Sequence, residues 1–406
     1  MIRVWSDNLI AGILDRHGAH GTAFAYDQDA ADERAVSMTM PMRKVASWNH
    51  DWGTHPIFEM NLPEGMLREK LRLQFAKATG TFDDLDLLAV VGRSQIGRLR
   101  YTAPDDDLDE DVPFQSVDEI LKHRRDGGLF AYMMERFATY SGIAGVQPKV
   151  MIRDDSESKE RKQSSIKGAT HIVKFWDPEE YPQLAANEYF CLLAAEKAGL
   201  TVPRRRLSED GSALVIDRFD LRPDGTYLGI EDFCVLNAKT TSRKYEGGYE
   251  AALFKRAKEF LAPEDLHDEM TKLFTLFVLN AAVRNGDAHL KNYALIYDNV
   301  TAAPRLADVF DVVTTVAYIP KDNMALTLDG KPFWPSHAQL AKLGSARCGL
   351  APKEIREIFD HVATGMTDAM AEMKRYAAAN PDFAAVASRM EVLWTDGMRQ
   401  ALHIGN

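Results

Sequence analysis

The chain has 406 residues, 46% of them hydrophobic and 27% charged, which is ample apolar material for two or three units around separate cores. The formal charge is −11, from 49 basic and 60 acidic residues, and it argues against broad direct contact with nucleic acid. No apolar run is long enough to span a bilayer. The opening Met1-Ile2-Arg3-Val4-Trp5-Ser6-Asp7 lacks the apolar centre of a signal peptide, so no membrane association and a cytoplasmic location are expected. Cys191, Cys234 and Cys348 have no metal-ligand spacing and read as reduced, mostly buried thiols.

Residues 1 to about 103 begin with short alternating strands, among them Arg3-Val4-Trp5 and Thr22-Ala23-Phe24-Ala25-Tyr26, followed by a helix near Glu64 to Leu71. The acidic run Asp105 to Asp111 repels itself and marks a boundary. A second region, about 117 to 223, opens with Ser141-Gly142-Ile143-Ala144-Gly145-Val146-Gln147-Pro148-Lys149 before the strand-like Val150 to Arg153. Glycines at 142 and 145 allow a backbone to approach phosphates closely and aim N–H groups at them, although an ordinary turn uses the same residues. Asp154 to Lys167, rich in Ser, Lys and Glu, reads as a mobile insertion.

Thr170 to Trp176 reads as an alternating strand with one lysine, Lys174, in an otherwise apolar core segment. A buried ammonium needs an anionic partner, and a nucleotide phosphate is one; a lysine snorkelling from an edge strand is the alternative. Glu188 follows on an amphipathic helix. Two basic clusters, Lys159 to Lys162 and Arg204-Arg205-Arg206, read as solvated surface. From about 224 to 406 the pattern is mainly helical, as in Leu273, Phe274, Phe277, Val278 and Ala281.

Within that region Val283-Arg284-Asn285-Gly286-Asp287-Ala288-His289-Leu290-Lys291-Asn292 places a carboxylate and an amide five positions apart. A kinase catalytic loop uses this spacing, with the aspartate as base for the attacking hydroxyl and the asparagine as a magnesium ligand. Tyr293 to Tyr297 and Arg305 to Phe310 look like strands joined by the turn formers from Asp298 to Pro304. Such a hairpin brings Asp311 beside Asn292, and the two make a hard-oxygen pair suited to magnesium. Asp and Asn in these positions also serve as turn residues and helix caps.

These motifs resemble the HipA family, bacterial serine/threonine kinases of toxin–antitoxin modules. The resemblance is carried by the G-I-A-G-V-Q-P-K loop, T-H-I-V-K, the stretch Asn187 to Leu200, V-I-D-R-F-D at 215–220, E-D-F-C at 231–234, K-Y-E at 244–246 and N-G-D-A-H-L-K-N. It runs over nearly the whole chain, more loosely in the first hundred residues. It implies an α+β, two-lobed, protein-kinase-like fold with three parts: an N-terminal subdomain (1–103), the nucleotide-binding part of the N-lobe (117–223) and a mainly helical catalytic lobe (224–406). It further implies ATP and Mg2+ as cofactors, a protein serine on an aminoacyl-tRNA synthetase as substrate, and a HipB-type helix-turn-helix antitoxin as the only route to DNA.

Residue by residue, the resemblance gives Gly142, Ile143, Ala144 and Gly145 to the phosphate loop, Lys174 to the α/β-phosphates and Asp217-Arg218-Phe219 to the adenine hinge. Asp287 takes the base position, and Asn292 and Asp311 hold magnesium. His289 orders the catalytic loop by satisfying its backbone groups, or touches the γ-phosphate. Lys291 neutralises transferring charge or is a solvated loop lysine. Glu188 pairs with Lys174 or is an exposed helix glutamate. Members with an autophosphorylation switch carry serine at positions aligned with Gly142 and Ala144; here the nearest hydroxyl is Ser141, one residue away. Two other readings compete with an active kinase. A silent pseudokinase acting as antitoxin-bound co-repressor would be expected to lack Lys174, Asp287 or Asp311. A metal-dependent phosphohydrolase built on Asp287, His289 and Asp311 would need further ligands and leaves the glycine loop without a purpose.

Overall fold

A computed structural model describes residues 1–42, 47–79, 82–122, 128–154, 167–176 and 180–403. Most of the expected insertion between Asp154 and Lys167, with the basic cluster Lys159 to Lys162 inside it, lies outside the described residues. The chain is mixed α and β, with most strands in its first half and long helices in its second. It divides into two compact units that are not consecutive in sequence. Unit 1 comprises Met1–Asp177, Val215–Ser242 and Ile296–Ala303; unit 2 comprises Pro178–Leu214, Arg243–Leu295 and Pro304–Asn406. The helix Leu184–Lys197, expected within the nucleotide-binding part, therefore groups with the C-terminal helices.

Unit 1 contains a five-stranded antiparallel sheet formed by β1 (Ile2–Ser6), β2 (Leu9–His17), β3 (Gly21–Tyr26), β4 (Trp48–His50) and β5 (Leu99–Thr102), in the order β4-β3-β2-β1-β5. Alternation in β1 buries Ile2 and Val4 on one face, as a half-covered strand requires. A second set contains β6 (Lys149–Ile152) and β7 (His171–Lys174), antiparallel with Lys149 opposite Lys174. All four residues of β7 are buried, so it is covered on both faces and does not alternate as expected. Val215–Asp217, from the strand Leu214–Asp217, runs along the other side of β7.

In unit 2 the helices Leu184–Lys197, Leu266–Ala282, Pro352–Ala379 and Pro381–Leu402 pack together. Two glycines set the closest approaches. A Cβ on Gly365 would lie 2.6 Å from the Ala198 nitrogen, and one on Gly397 would lie 1.9 Å from the Ala282 carbonyl oxygen. The strand Ala294–Tyr297 turns back at Arg305–Leu306, where the Ala307 N–H donates to the Ala294 carbonyl at 3.0 Å. The returning strand is shorter than the expected Arg305 to Phe310, because the chain leaves the ladder at Ala307 on its way to Asp311.

Candidate active site

The helix Leu266–Ala282 delivers the loop that carries the expected base. Arg284 adopts left-handed backbone (φ 62°), which turns the chain sharply, and the Asn285 N–H closes on the Asn280 carbonyl at 2.9 Å. Asn285 then acts as a staple. Its amide nitrogen donates to Asn280 Oδ1 at 2.7 Å and lies 3.5 Å from the Asp311 carbonyl, while its Oδ1 accepts the Asp287 N–H at 3.1 Å. Gly286 is required next: a Cβ there would meet Asp322 Oδ2 at 2.0 Å.

The Asp287 carbonyl accepts two bonds, from the His289 N–H at 2.7 Å and from Asn292 Nδ2 at 2.7 Å. Asn292 thus uses its nitrogen on the loop, which leaves the amide oxygen as the atom able to meet a cation. The Asp287 side chain is half-exposed, and Tyr245 Oη donates to its Oδ1 at 2.6 Å. Burial of the surroundings raises the Asp287 carboxyl above the ordinary aspartate range. The Tyr245 bond and Lys244 oppose this, and the neighbouring Asp311 and Asp322 add to it.

His289 is 5% exposed. Burial, with Lys244 and Lys291 nearby, pushes its pKa down to about 3, so the imidazole is neutral at physiological pH. Its Nδ1 is buried with no hydrogen-bond partner among the described residues, and its ring packs edge-on against Tyr245 with centroids 5.0 Å apart. The His289 N–H supplies one bond to the loop backbone, at the Asp287 carbonyl.

Asp311 sits beside this loop in left-handed backbone (φ 54°). The turn that carries it is pinned at Thr314. The Thr314 N–H donates to Asn187 Oδ1 at 2.8 Å, Asn187 Nδ2 returns a bond to the Thr314 carbonyl at 3.2 Å, and the buried Trp394 indole donates to Thr314 Oγ1 at 2.8 Å. Asp287, Asn292 and Asp311 are therefore assembled in unit 2. No cluster of three or more His, Cys, Asp or Glu side chains able to hold a metal occurs among the described residues. One carboxylate and one amide oxygen suit an ion that takes its remaining ligands from phosphates and water.

The expected nucleotide-binding residues lie in unit 1, where several are engaged differently from expectation. The Gly142 N–H donates to the Ser94 carbonyl at 2.9 Å, the Ile143 N–H to the Ser141 carbonyl at 3.0 Å, and the Gly145 N–H to Glu64 Oε1 at 3.1 Å. These N–H groups serve the protein in this conformation. The absent side chains make room for protein too: a Cβ on Gly142 would meet Gln95 Nε2 at 2.1 Å, and one on Gly145, whose φ is 115°, would meet Lys149 Nζ at 2.3 Å. Ser141 is fully buried, with its hydroxyl donating to the Phe137 carbonyl at 2.7 Å and accepting the Met151 N–H at 2.8 Å. In this conformation it is not presented as a phosphorylation switch.

Lys174 is 3% exposed, which excludes the snorkelling alternative, and it opposes the equally buried Lys149 across the strand pair. Two lysines opposite each other concentrate positive charge on one face of the strand pair. Of the hinge residues, Arg218 turns inward. Its N–H bonds the Thr170 carbonyl at 3.0 Å, and its guanidinium forks onto Asp220 at 3.0 and 2.6 Å; burial works against its charge, but the Asp220 carboxylate outweighs that and holds its pKa above the ordinary arginine value. Asp217 lies 3.3 Å from His171 Nε2, and Phe219 is half-buried. In unit 2, Glu188 is fully buried, so it is not an exposed helix glutamate; Lys291 is half-buried. All three cysteines are buried thiols outside any disulfide.

Spacing alone does not reveal Tyr245, Asn285 or Asp322 as members of the site. Tyr245 lies 42 residues before Asp287, and its only sequence signal is the K-Y-E motif, which carries no chemistry by itself.

The description of the HipA N-terminal domain matches residues 2–102, and that of the HipA-like C-terminal domain matches residues 141–370. A Sinorhizobium fredii protein named "Putative kinase Y4mE" is 30% identical over 344 residues, covering 78% of each chain. A second from the same organism, "Putative kinase Y4dM", is 26% identical over 292 residues, or 66% of this chain and 64% of its own length. Among solved structures, a chain of the Shewanella oneidensis MR-1 toxin–antitoxin complex of HipA, HipB and operator DNA shares the fold with a TM-score of 0.66 at 18% identity, covering 98% of this chain and 97% of that one. With more than half its length matched by the C-terminal domain of that family, the chain belongs to the HipA family.

Proposed function

We propose that this chain is an ATP- and Mg2+-dependent protein serine/threonine kinase and the toxin of a toxin–antitoxin module. The observation that carries the reading is the loop in which Asp287 meets a hydroxyl at 2.6 Å while Asn292 is fixed on the same residue's carbonyl and Asp311 is held alongside. That arrangement suits a base that receives the proton of an attacking alcohol, next to two oxygen ligands for a divalent ion.

Bound Mg-ATP would supply the phosphoryl group and neutralise charge on it. Lys174 would meet the α/β-phosphates, Lys149 on the facing strand adding positive field, and Asn292 and Asp311 would hold magnesium. Backbone groups of Asp217-Arg218-Phe219 would receive adenine and Phe219 would pack against it, while the Arg218 side chain stays on Asp220. Neutral His289 would keep the loop packed and contribute no charge; Lys291 would offset charge near the acceptor. The acceptor reading, an aminoacyl-tRNA synthetase serine, rests on the family resemblance. The HipB-type antitoxin, through which alone the chain would reach DNA, is supported by the solved complex of the Shewanella relative.

The test is phosphosite mass spectrometry on a bacterial lysate incubated with Mg-ATP and either this protein or Asp287→Ala. New serine or threonine sites on one or a few proteins, seen only with the unsubstituted chain, are expected. Identical site lists from the two would sink the kinase reading.

A further inference from the structure

Tyr245 is half-exposed, yet its hydroxyl is not spent on water: it donates to Asp287 Oδ1 at 2.6 Å. That bond has the geometry an acceptor alcohol must adopt toward a general base, an O–H within hydrogen-bond reach of the carboxylate. The neighbouring backbone is fastened to the same loop. The Leu290 N–H donates to the Lys244 carbonyl at 3.2 Å, Tyr249 Oη donates to the Ala288 carbonyl at 2.9 Å, and the Tyr249 N–H bonds the Thr327 carbonyl at 2.9 Å. The Tyr245 ring rests against His289, and Lys244 Nζ lies 5.6 Å from its centre. Backbone anchors on both sides leave side-chain rotation as the way for this phenol to leave, and its exposed flank leaves room for that rotation.

We propose that Tyr245 is a resident stand-in for the acceptor: its hydroxyl occupies the place at Asp287 that a substrate hydroxyl must take, and it keeps water out of that place until a protein acceptor displaces it. The inference rests on Asp287 being the base of the proposed kinase. Tyr245 is thus a positioning residue that sets which hydroxyl reaches Asp287, and its loss is felt most where the competing acceptor is water.

Two measurements on the full chain test it. Without nucleotide, the 13Cζ resonance of Tyr245 in tyrosine-labelled protein is expected to move in Asp287→Ala; an unmoved resonance would mean the contact does not exist in solution. With Mg-ATP and no protein acceptor, Tyr245→Phe is expected to release inorganic phosphate about tenfold or more faster, the scale set by one hydrogen bond to a charged group, and Tyr245→Phe with Asp287→Ala is expected to lose that gain. Unchanged or slower phosphate release in Tyr245→Phe would overturn the stand-in role in favour of a merely supporting one. Phosphate found on Tyr245 by mass spectrometry would overturn it in favour of self-phosphorylation. If Asp287→Ala alone kept full phosphate release, the base assignment would fall, whatever Tyr245 does.

Discussion

The glycine loop of unit 1 and the catalytic loop of unit 2 are both short, polar and conformationally unusual, yet they spend their polar groups in opposite ways. In residues 141–145 the N–H groups of Gly142, Ile143 and Gly145 and the hydroxyl of Ser141 all bond to the protein itself. In residues 285–292 the backbone and the Asn285 amide take up most of the internal bonding, which leaves the Asn292 amide oxygen outside that network and the Asp287 carboxylate bonded to the Tyr245 hydroxyl. At Gly142 the missing side chain makes room for Gln95 in this conformation.

The contrast breaks most sharply in activity. Asp287→Ala is expected to lower phosphoryl transfer by about 10³-fold while calorimetric ATP affinity stays within a few-fold, whereas Lys174→Ala lowers both. Parallel losses of affinity in the two variants would erase the division of labour. In stability the order reverses. Gly142→Ala must push against the Ser94 carbonyl, 2.4 Å from the added carbon, and is expected to cost about 2–3 kcal/mol in a denaturant titration. Ser141→Ala strands two buried backbone groups and should cost about 2 kcal/mol, with no phosphate found on Ser141 in the unsubstituted protein after incubation with Mg-ATP.

A smaller effect sharpens the comparison by pH. The folded pKa of His289, about 3, lies below its unfolded value near 6.5, so the unfolded chain binds a proton that the folded chain does not. Stability should therefore fall as pH drops from about 6.5 towards 3, with this residue contributing a slope of at most about 1.4 kcal/mol per pH unit. His289→Gln should flatten that slope; an unchanged slope would mean the ring is solvated in the fold.

The grouping of Asp287, Asn292 and Asp311 was legible in the sequence because it is local: Asp287 and Asn292 lie within one short turn, and the turn formers before Pro304 announce the return that brings Asp311 to the loop. The arrangement of the chain was not legible, since the two units interleave and the helix of Glu188 packs with partners some 170 residues downstream, among them Pro352–Ala379. Arg218 and Gly142 show what a motif leaves out: each also meets a buried protein neighbour, Asp220 and Gln95, that no spacing reveals.

The indole of Trp394 has a consequence for handling the molecule. It reaches from the helix Pro381–Leu402 to Thr314, three residues past Asp311, so that helix serves as a tether for the turn that carries Asp311. A protease cut or a stop codon ahead of position 394 would leave every proposed catalytic side chain in place and still let that turn slacken, whereas a tag joined after His403 leaves the tether intact.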